Sequence, residues 1–281
     1  MSGMTQHWPM PATACRRPHI LANAPLLAAL AMAAGLWLSP TLARAAEDCP
    51  AGALGTARVL DIDPKGVRVG TKSFPDTLPL KPKEVVLTFD DGPWPTTTAA
   101  ILDALKAECV RATFFLIGQN AKARPALVRR ELAEGHTLAH HSMTHPAATL
   151  AKLPFDAAVA DIKKGIAADD EAAYGRAAGA PRVPFFRFPG FAATPELLAY
   201  LDQHGIAVFG ADFWASDWNK MTPEQELELV LKRLDATGGG IVLFHDTKAQ
   251  TAAMIPAFLR ALKDRGYSIV HIVPKASAQA G

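Results

Sequence analysis

From Glu84 to Val273 the chain alternates short apolar runs with longer amphipathic stretches. The runs are EVVLTF (84–89), ATFFLIG (112–118), HTLAHH (136–141), FFRF (185–188), IAVFGAD (206–212), GIVLFH (240–245) and YSIVHIV (267–273). Most are rich in β-branched or aromatic residues, and all have the length of a buried strand. Between them, apolar positions recur near helical spacing over 96–108, 123–135, 155–173, 194–204, 222–236 and 250–265. Thr96, Thr97 and Thr98 offer N-caps to the first of these helices, and Gly135 suits the position just past the second. Strands alternating with helices predict βαβ units and a parallel sheet. Seven strands in one domain either close into a barrel or lie open and doubly wound.

The segments outside this alternation have other characters. Arg16 and Arg17 precede an uncharged stretch from Pro18 to Ala43, densest at LLAALAMAAGLWL (26–38), and Ala43-Arg44-Ala45 follows it. This pattern reads as an export signal cut near Ala45. The rival is an uncut membrane anchor, since the uncharged stretch reaches roughly the 20 residues a span needs. The dense apolar core is shorter than that, which favours cleavage and a periplasmic or secreted protein. Residues 46–83, rich in Pro and Gly, read as an N-terminal extension holding a short strand or a hairpin (ARVLDID, GVRVGTKSF). The domain proper is 84–274, and the tail 275–281 is expected to be disordered.

Charge and cysteines change the picture once the leader is set aside. The chain has 29 Lys and Arg against 27 Asp and Glu, but residues 1–45 hold three arginines and no acids. Without them, 26 bases face 27 acids and the net charge is −1. No basic block interleaved with aromatics remains, so nucleic acid is excluded as a partner. Cys49 and Cys109 remain of the three cysteines. In an exported protein they suggest a disulfide pinning the new N-terminus to the domain, with two unpaired thiols as the alternative. No G-x-G-x-x-G follows the first strand and no P-loop motif occurs, so dinucleotide and NTP readings lose support.

In parallel α/β folds, catalytic groups gather at the carboxyl ends of strands. Asp90 and Asp91 close the first predicted strand, His141 follows the third, Arg187 lies in the fourth, Asp212 and Asp217 follow the fifth, and His245 closes the sixth. Solvated loops do not explain that placement at five strand ends. His141 and His145, four apart, share a face if they lie on one helical turn. With a carboxylate from another strand end they form a three-ligand set that leaves a fourth zinc position open, the mark of a catalytic site. Gly92-Pro93 break the strand, so both aspartates can face the cavity: Asp91 as a metal ligand, and Asp90 as a base beside it. A hydrated D-D-G turn is the plainer reading. Arg187 suits a role holding Asp90 ionised; a surface ion pair is its alternative. Asp217 suits a role holding His245 protonated, with Trp218 walling the pocket. Otherwise His245 is a buried histidine with one backbone hydrogen bond.

These residues sit in five ordered segments: TFDDGP (88–93), HSMTHP (141–146), RFPG (187–190), SDW (216–218) and LFH (243–245). Together they resemble the motifs of the polysaccharide deacetylases with a NodB-homology domain, carbohydrate esterase family 4. The resemblance spans about Glu84 to Pro274. It implies a distorted (β/α)7 barrel with one divalent metal ion, zinc or alternatively cobalt. It also implies Asp91, His141 and His145 as ligands, Asp90 as catalytic base, His245 as catalytic acid, Asp217 as its tuning carboxylate and Arg187 as the partner of the base. Where the family often has Tyr at the end of the third motif, Gly190 stands here. A backbone oxyanion donor survives that change, and a side-chain contact to the sugar is lost. The implied activity is hydrolysis of N-acetyl groups from an acetylated glycan outside the cytoplasm, chitin-like or peptidoglycan. An O-acetyl esterase, for instance on xylan, and a non-catalytic glycan-binding barrel are the alternatives.

Overall fold

The structure is a computed structural model that describes residues 49–275. The leader (1–45) and the tail from 276 onward lie outside the described residues; among the described residues no helix is long and apolar enough to cross a membrane. All seven predicted strands form, and every strand pair is parallel. In chain order the elements are β1 (Thr56–Ile62), β2 (Arg68–Val69), β3 (Glu84–Asp90), α1 (Thr97–Ala107), β4 (Thr113–Leu116), α2 (Gly118–Ala123), α3 (Pro125–Ala133) and β5 (Thr137–His140). They continue with α4 (Phe155–Tyr174), β6 (Phe185–Phe186), α5 (Pro195–Gln203), β7 (Ala207–Phe209), β8 (Phe213–Trp214), α6 (Pro223–Thr237), β9 (Gly240–His245), α7 (Ala249–Asp264) and β10 (Ser268–Pro274).

The wall of the barrel runs β8-β9-β3-β4-β5-β6-β7. Among the described residues no ladder joins β7 to β8, and this gap is the distortion. The seventh predicted strand, β10, takes no full place in that wall. It pairs with β3 only at Ser268 and Ile269, then runs along β1. Its Val270 and Ile272 pack with Val86, Phe115, Ala139, Phe185, Phe209 and Ile241 in the cluster that fills the barrel.

Strand alternation divides β3 cleanly. Val85, Leu87 and Phe89 pack in the cluster that includes residues of α1, α6 and α7. Val86 belongs to the barrel filling. Thr88 and Asp90, two apart, therefore share the inner face, and this register aims Asp90 into the barrel mouth.

The extension does not form a hairpin. β1 pairs with β10 and β2 with β7, on different parts of the sheet. Each covers an edge that would otherwise expose unpaired backbone groups, so the pairing that sequence proximity suggests loses to two better partners. Cys49 and Cys109 form a disulfide with Cα atoms 5.9 Å apart. Leu54 N–H donates to Glu108 Oε2, and Thr56 Oγ1 both donates to the Cys109 carbonyl and accepts from Arg111 N–H, so the extension is tied to the end of α1. Closing a loop of 60 residues removes denatured-state entropy, an effect of about 2–4 kcal/mol. Reduction, or Cys109→Ser, is expected to lower unfolding stability by about that amount in urea titrations; an unchanged midpoint would show that the hydrogen bonds alone hold the extension.

Candidate active site

The floor of the barrel mouth is built around one buried cation. Arg187, just past β6, is fully buried. Its Nη1 donates to Asp90 Oδ1 at 2.7 Å and to Thr88 Oγ1 at 2.9 Å. Its Nη2 donates to the Gly210 carbonyl at 2.7 Å and Nε to the Phe209 carbonyl at 3.3 Å. The guanidinium lies 4.1 Å from the centroid of the Phe115 ring. Burial pushes the Asp90 carboxyl above its ordinary value, and the charge of Arg187 works against that push. A guanidinium does not give up its proton in a protein, so Asp90 faces a permanent positive charge.

Above this floor stand Asp91, His141 and His145, whose ligating atoms all lie within 4.8 Å of one another. Asp91 has φ +77°, which takes it out of the strand alternation. Its carboxylate therefore converges with that of Asp90 on one imidazole: His141 Nε2 is 3.6 Å from Asp91 Oδ1 and 3.7 Å from Asp90 Oδ2. His145 Nε2 is also 3.6 Å from Asp91 Oδ1, an oxygen that is buried without a hydrogen-bond partner. Ligands at about 2.0–2.1 Å around a tetrahedral zinc stand roughly 3.3 Å apart, close to these spacings. His141 Nδ1–H donates to the Arg187 carbonyl at 2.7 Å, which leaves the Nε2 lone pair facing the cavity. Burial pushes His141 down to about 3, so the ring is neutral. The donor set fits a divalent cation.

The two histidines do not share a helical turn, contrary to the expectation from their spacing. Residues 141–149 form a loop in which Ser142, His145 and Thr149 have φ of +70°, +46° and +64°. Side-chain anchors replace helical hydrogen bonds. Asp161 of α4 accepts from Met143 N–H and Thr144 Oγ1, Ser142 Oγ accepts from His145 N–H, and the first N–H groups of α2 donate to the Ser142 and Met143 carbonyls. Gly165 makes this approach possible: a Cβ there would lie 2.4 Å from the Ser142 carbonyl carbon. The ring centroids end 5.0 Å apart.

The other wall carries His245 at the end of β9. Its Nδ1–H donates to Asp217 Oδ1 at 2.7 Å, and Asp217 Oδ2 accepts from His245 N–H and Thr251 Oγ1. Burial alone would lower the imidazole. The hydrogen bond and charge of Asp217, with the charges of Asp91 and Asp90, outweigh it and raise His245 to about 9. Its Nε2 faces the cavity, 4.0 Å from Asp91 Oδ2. The neighbouring Asp246 points away, accepting from Thr98 Oγ1 at 2.6 Å. It lies under Gly92, where a Cβ would come within 2.0 Å of its carboxylate, so the D-D-G turn has no room for a larger residue.

The resulting cavity, about 400 Å³, also has Gly190, Phe191, Trp214, Trp218 and Lys248 in its lining. Trp218 is half exposed and meets His245 edge-on, ring centroids 5.9 Å apart. Gly190 sits in a 3₁₀ turn, Pro189–Phe191, with φ +60°. The residues given a role in the site from sequence are thus brought together. Asp212, the other strand-end candidate, lies elsewhere: it accepts from Thr71, Thr77 and the Ile241 N–H and ties the extension to the start of β9. Sequence reasoning missed Asp161, Thr251 and Asn120, whose side-chain N–H donates to the Asp91 carbonyl. They lie on helices at positions that look like ordinary solvated faces, and no local pattern marks them.

An α/β barrel with a His-His-Asp cluster, a buried base candidate and a paired imidazole at its mouth has the form of a hydrolase. The polysaccharide deacetylase family profile matches residues 77–209. Over 199 residues the chain is 32% identical to the chitooligosaccharide deacetylase of Sinorhizobium fredii, covering 66% of this chain and 88% of that one. Over 190 residues it is 34% identical to a peptidoglycan-N-acetylglucosamine deacetylase of Listeria monocytogenes, covering 68% of this chain but only 38% of that protein. Among solved structures, a peptidoglycan deacetylase of Bdellovibrio bacteriovorus superposes with a TM-score of 0.70 at 33% identity, covering 81% of this chain and 62% of that one. The chain belongs to the polysaccharide deacetylase family.

The buried pair gives a direct test. Arg187→Met leaves Asp90 buried and uncompensated, and is expected to cost about 3–5 kcal/mol of stability. Adding Asp90→Asn should return part of that loss. A double mutant no more stable than Arg187→Met alone would show that the arginine acts by packing rather than charge.

Proposed function

We propose that the protein is a metal-dependent N-deacetylase that releases acetate from an N-acetylglucosamine-containing glycan, chitin-like or peptidoglycan. The observation that carries this reading is the cluster of Asp91, His141 and His145 beside two differently compensated groups, Asp90 with Arg187 and His245 with Asp217. Residues 84–274 carry the reaction, 46–83 form a structural extension, and 1–45 direct export to the periplasm or the exterior.

Asp91, His141 and His145 would hold the metal, which we take to be zinc because two imidazoles and one carboxylate leave a tetrahedral position vacant. Once bound, the ion supplies polarisation of the acetyl carbonyl and acidification of water. The chain's own groups divide the proton work. Asp90, raised by burial with the charge of Arg187 opposing that rise, takes the proton of the attacking water. The Gly190 N–H donates to the developing oxyanion. His245, protonated at neutral pH, gives its Nε2 proton to the departing sugar nitrogen, and the acetate leaves. Trp218 and Trp214 supply apolar faces against the sugar ring.

Acetate release from chitin oligomers, peptidoglycan and acetylxylan tests the activity and its N- or O-acetyl preference. Chelation should abolish release and zinc or cobalt should restore it; full activity in the stripped protein refutes the metal reading. Asp90→Asn should lower kcat at least about 100-fold with metal content unchanged.

The pH profile separates the two proton roles. The acid must be protonated, so activity falls as pH rises through the His245 value. Asp217→Asn removes the hydrogen-bonded carboxylate that raises that value. The alkaline limb of kcat should therefore move to lower pH; a limb that stays in place assigns it to another group.

A further inference from the structure

We infer that Glu226 is a neutral carboxylic acid that positions the proton donor: through the Thr251 hydroxyl it fixes the Asp217 carboxylate against His245. The inference rests on the deacetylase reading and adds to it a buried residue that does not meet the substrate.

Glu226 lies on the buried face of α6 with Val230, Leu231 and Leu234, and Thr251 lies on the buried face of α7. Their side chains meet behind the Asp217–His245 pair. Thr251 Oγ1 stands 2.9 Å from Asp217 Oδ2 and 2.9 Å from Glu226 Oε1. No local pattern in the sequence marks this junction, because its members come from two helices and from the loop after β8.

Counting protons decides its state. A threonine hydroxyl has one hydrogen and two lone pairs. It can donate to only one of the two carboxyl groups, so the other must donate to it and must itself carry a proton. Asp217 is the one that stays ionised. It already accepts from the His245 Nδ1–H and the His245 backbone N–H, and a proton on it would remove the charge that faces the imidazole. Glu226 is therefore the acid. Its Oε2 is buried without a hydrogen-bond partner, which a neutral carbonyl oxygen tolerates better than half of an anion. Burial, followed by the charge of Asp217, raises Glu226 to about 7; its hydrogen bond with Thr251 and the charge of His245 oppose that rise. Asp217 and His245 face it from the loop after β8 and from β9, and α7 contributes the neutral Thr251. The bonds then run one way, from the Glu226 O–H to Thr251 Oγ1 and from the Thr251 O–H to Asp217 Oδ2. An ionised Glu226 would compete with Asp217 for that single hydrogen. The neutral form ends the competition, so Asp217 is gripped by three donors and keeps Oδ1 for the ring.

Variants of the metal-loaded protein test this. Glu226→Gln keeps a donor toward Thr251 and should hold kcat within about twofold, whereas Glu226→Leu has none and should lower kcat about tenfold with KM unchanged. Thr251→Val should cause the same loss as Glu226→Leu, and the double variant no more than either alone, because the two residues act as one unit. The His245 Nδ1–H proton resonance reads the positioning without turnover: it should coincide in wild type and Glu226→Gln, and move in Glu226→Leu. Carboxyl carbon resonances of 13C-glutamate-labelled protein, assigned through Glu226→Gln, should show Glu226 protonated at about pH 6. Glu226 ionised at that pH, Glu226→Gln as impaired as Glu226→Leu, or additive losses in the double variant overturns the inference. So does a loss of unfolding stability in Glu226→Leu with kcat and the His245 resonance unmoved, which assigns Glu226 to packing alone. Acetate release from chitin oligomers with that resonance the same in every variant would keep the deacetylase reading and sink this one. A protonated Glu226 and a resonance moved only where the donor is lost, with no acetate released from any glycan, would do the reverse.

Discussion

A charged guanidinium at the centre of a barrel is the constraint around which this molecule is arranged. Taking Arg187 out of water is costly, and the cost is offset only where each donor finds an acceptor. The chain meets that demand with the Asp90 carboxylate, the Thr88 hydroxyl and the carbonyls of Phe209 and Gly210. Those acceptors come from β3 and from the end of β7, where the wall opens. The gap between β7 and β8 leaves the carbonyls of 209 and 210 free to turn toward the arginine. The Arg187 carbonyl then orients His141. One residue thus fixes the candidate base with its side chain and a candidate ligand with its backbone.

The second support is peripheral. The histidine loop has left-handed residues at Ser142 and His145 and no regular hydrogen bonding of its own. Asp161 and the start of α2 supply that bonding from outside, and Gly165 lets the α4 backbone come close enough. Such a loop is held by its neighbours, which suits ligands that must keep their spacing without a cation present.

Much of this was legible in the sequence, for a physical reason. A strand that ends inside a barrel mouth must change abruptly from apolar to polar, and that change marks Asp90, His141, Arg187 and His245 directly. The seven apolar runs are likewise visible because buried parallel strands admit little else. What escaped depends on where the chain turns afterwards. Spacing of four suggested a helical turn for His141 and His145, but spacing cannot see Asp161 closing a loop from 16 residues further on. Asp212 follows a strand as Asp217 does, yet it turns back toward Thr71 and Thr77. β1 and β2 read as neighbours because they are close in sequence, while the open edges of β10 and β7 were the stronger partners. Each miss concerns a long-range contact.

Two buried pairs set the charge layout of the cleft floor: Asp90 with Arg187, and His245 with Asp217. Swapping those partners in thought inverts the chemistry. Without its cation, Asp90 would be pushed further toward the protonated form by burial, and without its carboxylate His245 would be pushed toward the neutral form.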